Sequence, residues 1–137
     1  MRSSGRVCVS LNLMVENFRN FETGPDPFGR SWKLTFRWQQ NAISIRHADT
    51  VDVKYELECD GEKQEKVVAL PLPLLLKVCA ELKRGITDAW VMKLGGLHLI
   101  EMISTWQDMD NELVTANYDE ISTYAKAIAE ADRQAAA

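Results

Sequence analysis

The sequence predicts an α+β fold: an antiparallel β-meander of about five strands followed by three helices packed on the apolar sheet face. Three observations predict it. Through residues 6–70 apolar side chains recur with a period of two, the signature of half-buried strands. From Leu72 onward the period becomes that of a helix. Between two of the alternating runs stands Asp60-Gly61, a hairpin dipeptide. The 137 residues read as one α+β domain, with strands over about 6–70 and helices over about 72–133.

In VCVSLNLMV, Val7, Val9, Leu11, Leu13 and Val15 share one face, which predicts the first strand. NFRNFETGPDPFGRS, broken by Gly24, Pro25, Pro27 and Gly29, reads as a long connection of the kind that serves an interface or a function. In WKLTFRW the apolar residues are Trp32, Leu34, Phe36 and Trp38, and in AISIRH the inward set is Ile43, Ile45 and His47. A two-residue turn at Gln40-Asn41 would pair Trp38 with Ile43, Phe36 with Ile45 and Leu34 with His47. Next, VDVKYELEC alternates with Val51, Val53, Tyr55, Leu57 and Cys59 inward, and EKQEKVVAL returns after Asp60-Gly61. A two-residue loop there pairs Glu58 with Lys63 and Val53 with Val68; a three-residue loop with a bulge pairs Glu56 with Lys66. Both registers are open, as is whether residues 43–59 form one bent strand or two strands with a turn at 48–50.

Pro71 and Pro73 punctuate the entry to a helix over Leu72–Lys83, with Gly85 as its stop. Thr87-Asp88 starts a second helix that runs to about Trp106 and is apolar over most of its surface, so it is expected to be largely buried. Gly95-Gly96 in its middle costs roughly 1 kcal/mol per glycine relative to alanine, and such a pair marks close approach by a neighbour or a kink. QDMDNELVT is an acidic connection. Asn117 and Glu120 have the spacing of a capping box, and Tyr118, Ile121, Ala125 and Ile128 give a third, amphipathic helix.

The formal net charge of −4 gives no overall attraction to nucleic acid or anionic membranes. The charge is uneven, +3 over residues 1–50 and −7 over residues 51–137. Cys8, Cys59 and Cys79 form no CxxC pair and suit reduced thiols in a cytoplasmic protein. The longest apolar stretch, Val67–Leu76, carries two prolines and is about half of what a membrane span needs.

No phosphate-binding loop, dinucleotide fingerprint, HExxH, GxSxG or calcium loop is present. His47 and Asp49 are the weak catalytic candidates, since a carboxylate beside an imidazole can tune a general base. In the hairpin register Asp49 would lie near Trp32 at the sheet edge; the plainer reading is that Ala48-Asp49-Thr50 forms an Asx-type turn. His98 and Glu101 share a helix face, but one HxxE makes no di-iron site, and a core histidine bonded to Glu101 or a carbonyl explains it. The run Asp108–Glu112 lacks the glycine of a calcium loop and reads as a solvated turn. No metal and no cofactor are expected.

Arg30, Lys33, Arg37 and Arg46 are expected to gather on the outer face of one hairpin, as a candidate nucleic-acid or anion-binding patch. Phe18, Phe21, Phe28 and Trp32, in and beside the long loop, are the candidate interface residues. The leading expectation is a small cytosolic non-catalytic protein that works by self-assembly, as a homodimer, or by binding a protein partner. The alternatives are single-strand nucleic-acid binding through the basic hairpin face and a small-ligand or enzymatic site around His47 and Asp49.

Overall fold

The computed structural model describes residues 17–42 and 49–136. The predicted strand Val7–Val15, the inward set Ile43, Ile45 and His47, and Arg46 lie outside those residues. The described chain has α+β architecture. It runs β1 (Asn20–Thr23), β2 (Trp32–Ala42), β3 (Thr50–Cys59), β4 (Glu62–Pro71), α1 (Leu72–Leu82), α2 (Asp88–Thr105), β5 (Leu113–Thr115) and α3 (Tyr118–Ala136). The sheet order is β1-β2-β3-β4-β5, antiparallel through β4. β5 pairs in parallel with β4, Val68 opposite Val114, so the sheet is not wholly antiparallel. Two segments read as connections therefore carry short strands, outermost among the described residues: NFET in the long loop is β1, and LVT in the acidic connection is β5.

Asp60-Gly61 makes a two-residue hairpin loop. Glu58 pairs with Lys63 and Val53 with Val68, which selects between the two registers. Both loop residues have positive φ, 53° and 81°, as a type I′ turn requires. Alternation along β3 buries Val51, Val53, Tyr55, Leu57 and Cys59.

The expected turn at Gln40-Asn41 is absent. β2 runs on through Ala42, with Gln40 opposite Asp52 and Asn41 opposite Val51. Leu34 pairs with Phe21 on one side and Leu57 on the other, so His47 is not its partner, and Phe36 pairs with Tyr55 rather than Ile45. The register also slips within β2: Phe36 faces Tyr55 while Trp38 faces Lys54, leaving Arg37 as the extra residue of a β-bulge. The slip moves Trp38 to the outer face, where the Lys54 ammonium lies 5.5 Å from its ring. Gln39 takes the inward place opposite Val53, and its side-chain amide Nε2 donates to the Asp88 carbonyl at 3.2 Å.

The helix boundaries follow local chemistry. Lys83 adopts the left-handed conformation and closes α1 two residues before Gly85. Thr87 caps α2, its Oγ1 accepting from the Trp90 amide. Asn117 and Glu120 form the reciprocal capping box, at 2.8 and 2.9 Å. The two glycines of α2 are where the sheet comes close. A Cβ on Gly95 would sit 3.0 Å from Val53, and one on Gly96 would sit 2.7 Å from the Phe18 ring and 3.1 Å from the Tyr55 hydroxyl. Tyr55 is fully buried there, donating to the Phe18 carbonyl at 2.7 Å. Burial pushes its phenol well above the usual range.

Candidate functional site

The loop Gly24–Ser31 is organised around Asp26. Asp26-Pro27-Phe28-Gly29 carries the residues a type I turn favours, and the Gly29 amide donates to the Asp26 carbonyl at 2.9 Å. Asp26 Oδ1 accepts from the Phe28 and Arg30 amides at 2.9 and 2.8 Å. Oδ2 accepts from Arg30 Nε and Trp32 Nε1, both at 2.9 Å. Burial by itself would raise this carboxyl. The donors from Trp32, Arg30 and Phe28 outweigh it and hold the pKa down to about 2. Gly24 lets the loop close: its φ is +149°, and a Cβ there would lie 2.9 Å from the Arg30 carbonyl oxygen.

Arg30 sits among aromatic rings, its Cζ 5.2 Å from the Phe28 and Trp106 centroids and 5.6 Å from that of Trp32. Phe28 meets Trp106 edge-on at 5.1 Å and remains 66% exposed. Trp106 comes from the left-handed residue that ends α2, so the loop and the helix end meet here. Beside them, Arg30, Trp32, Cys59, Asp60, Glu62, Lys63 and Gln64 line a depression of about 430 Å³. Its charged walls balance, with Arg30 and Lys63 against Asp60 and Glu62. The Cys59 thiol in it is pushed up, chiefly by burial.

Of the candidate interface residues, Phe18, Phe21 and Trp32 are buried and belong to the core, where Phe21 packs edge-on against Phe18 and Tyr55. Phe28 alone of the four stays exposed. Three of the four candidate basic residues fall among the described residues. Arg30 is drawn into the Asp26 cluster, Lys33 lies between Glu22 and Glu58 on the outer face, Arg37 occupies the bulge, and Arg46 is outside the described residues. Asp52, Glu56 and Glu65 share that outer face with Lys54 and Lys63.

Asp49 is not near Trp32. It precedes Thr50, which pairs with Ala42 and Pro71, whereas Trp32 lies at the Cys59 end of the sheet. The Asp49 carbonyl accepts from the Leu72 amide at 2.8 Å, and His47 lies outside the described residues. His98 bonds to Tyr124 rather than Glu101, with Nδ1 2.9 Å from Oη. Burial lowers its pKa, against the pull of Glu120 and Asp108. The acidic run does surround a cation, the protein's own. Lys66, buried on the inner face, donates Nζ to the Met109 and Asn111 carbonyls at 2.8 and 2.7 Å. Among the described residues, no group of three or more His, Cys, Asp or Glu could hold a metal ion, and no helix is long and apolar enough to cross a membrane.

Asp26, Trp106 and the hairpin-end walls were not singled out from the sequence. The D-P-x-G pattern could have located Asp26; nothing local links residue 106 to residue 28. No family model matches the chain, and no curated protein or solved structure matches it.

Proposed function

We propose that this is a small, non-catalytic interaction protein that self-assembles as a homodimer through the corner of the sheet built by Phe28, Arg30 and Trp106. One observation carries the reading. Phe28 is two-thirds exposed yet braced, edge-on to Trp106 and under the Arg30 guanidinium. An aromatic held in place at the surface loses little side-chain freedom on association, and interface hot spots favour such aromatic and arginine anchors. The reading takes the three helices as cover for the apolar sheet face. The Tyr55 hydroxyl close to the Met92 carbonyl, at 3.3 Å, and the fit of Gly95 against Val53 support that arrangement. It leaves the loop corner for contact with a second copy and places the protein in the cytoplasm with its thiols reduced.

Light scattering coupled to size-exclusion chromatography tests it. The expected mass at high protein concentration is twice 15.5 kDa, falling towards one chain in Phe28→Ser. A wild-type mass of one chain at high concentration overturns self-assembly.

A further inference from the structure

We propose that the depression between the Asp26 loop and the β3–β4 hairpin is a binding site for a carboxylate that carries a cationic group nearby. The chemistry begins at Arg30. Its Nε is committed to Asp26 at 2.9 Å, and its two Nη groups hydrogen-bond to nothing among the described residues. Phe28, Trp32 and Trp106 surround the guanidinium, and Asp26 is itself fixed by two backbone amides and the Trp32 indole. The result is a planar fork with its orientation set in advance, the geometry that receives a carboxylate through two parallel N–H bonds. Because it is braced, little rotamer freedom remains to be lost on binding.

The other walls decide which carboxylate. Lys63 adds a second cation, while Asp60 and Glu62 place two carboxylates in the same depression. A multiply charged anion meets those carboxylates at close range, whereas a ligand with one carboxylate and one ammonium or guanidinium matches both signs. The volume of about 430 Å³ suits an amino acid or the last residues of a peptide. An α-carboxylate beside a basic side chain is the shared chemistry, found in free lysine and at a peptide end. This site rests on the reading above only in taking the same corner of the sheet as the recognition surface.

Tryptophan emission tests it, because Trp32 lines the depression and Trp106 stands beside Arg30. The probes are acetyl-Gly-Phe-Lys with a free C-terminal carboxylate, the same peptide as its C-terminal amide, and L-lysine. Saturable change with the acid, and binding at least about tenfold weaker for the amide, is expected for a carboxylate read by a fork. Arg30→Lys, which keeps the charge and loses the fork, is expected to weaken the acid by about tenfold. Glu62→Lys, on the exposed hairpin end and away from the loop, is expected to weaken it too by opposing the cationic group. If L-lysine matches the peptide, a free zwitterion is the ligand; if only the peptide binds, a chain terminus is. No response to either acid up to on the order of 10 mM, or equal binding of acid and amide, overturns the site. Oligomeric mass is a separate readout: a probe-binding monomer rejects self-assembly alone, and no probe binding to Phe28→Ser as a monomer, where no second copy covers Arg30, rejects this site alone.

Discussion

Asp26 and Trp32 are joined by a buried hydrogen bond, the indole Nε1–H donating to the carboxylate Oδ2 at 2.9 Å. The bond ties the loop to the first residue of β2 and leaves the Arg30 guanidinium held on the same oxygen. Everything distinctive about this corner of the molecule depends on that carboxylate being charged.

Asp26→Asn is therefore expected to destabilise the protein despite being nearly isosteric. The amide can present one oxygen to the Phe28 and Arg30 backbone, but its NH2 then faces two donors, Arg30 Nε and Trp32 Nε1. Losing two bonds to a buried charge costs about 2–4 kcal/mol. Urea unfolding measures it; a change below about 0.5 kcal/mol, the scale of an ordinary surface substitution, contradicts the account.

The same group sets an acid dependence. Its pKa is about 2 in the folded protein against an ordinary 3.8, so between those values the unfolded chain holds more protons than the folded one. The stabilisation from Asp26 is complete above about pH 4 and is lost as pH falls through about 2. Denaturant midpoints from pH 5 to 2 are expected to fall more steeply in the wild type than in Asp26→Asn. Parallel curves would remove Asp26 as a source.

Gly95 and Gly96 make a test with an internal control. Alanine improves helix propensity by about 1 kcal/mol at each, yet the added Cβ atoms would press on Val53 and Phe18. Both substitutions are expected to destabilise by about 1–3 kcal/mol, and Val53→Ala is expected to recover part of the Gly95→Ala loss. Nothing stands within 4 Å of a Cβ on Gly85, so Gly85→Ala is expected to be neutral or slightly stabilising. Thermal melts of the set decide this; stabilisation by Gly95→Ala contradicts the close approach.

Lys66 holds the turn between α2 and β5. Lys66→Met keeps most of the aliphatic packing and strips two acceptors, the Met109 and Asn111 carbonyls, of their donor. The expected loss is about 1–3 kcal/mol, with faster hydrogen exchange at the Val67 amide of β4, which donates to the Glu112 carbonyl beside β5. Unchanged exchange there would show that the ammonium is not what fixes the turn.

His98 is expected to titrate below 6.5, since burial lowers its pKa from that value. The unfolded chain then takes up the proton first, so the stability held by neutral His98 is complete above about pH 6.5 and declines as pH falls below it. Imidazole proton NMR in His47→Gln, which leaves His98 as the sole histidine, gives the midpoint directly. A midpoint at or above 6.5 contradicts this.

The features legible in the sequence were those whose cause is local. The type I′ turn at Asp60-Gly61, the Thr87 cap and the Asn117–Glu120 box each need only a few adjacent residues, and their signals were plain. The close approach at Gly95-Gly96 could be read as one of two options. The bulge at Arg37 could not be read, because the alternation of WKLTFRW continues through it and Trp38 looks like one more inward residue. β5 is three residues long and is specified by its partner β4 rather than by its own composition. Lys66 reads as a solvent-facing residue until Met109 and Asn111, over forty positions away, supply its acceptors. The candidate site failed for the same reason: its parts lie near residues 26–32, 59–64 and 106, and only tertiary packing brings them together.

Sedimentation equilibrium tests the central claim most directly, comparing the wild type with Phe28→Ser, Trp38→Ser and Leu113→Ser, each of which removes an exposed large apolar side chain. The account predicts a concentration-dependent wild-type dimer, weakened at least about tenfold by Phe28→Ser, a typical hot-spot loss, and unchanged by the other two. A dimer that ignores Phe28→Ser, or that dissociates with Trp38→Ser or Leu113→Ser instead, would contradict it.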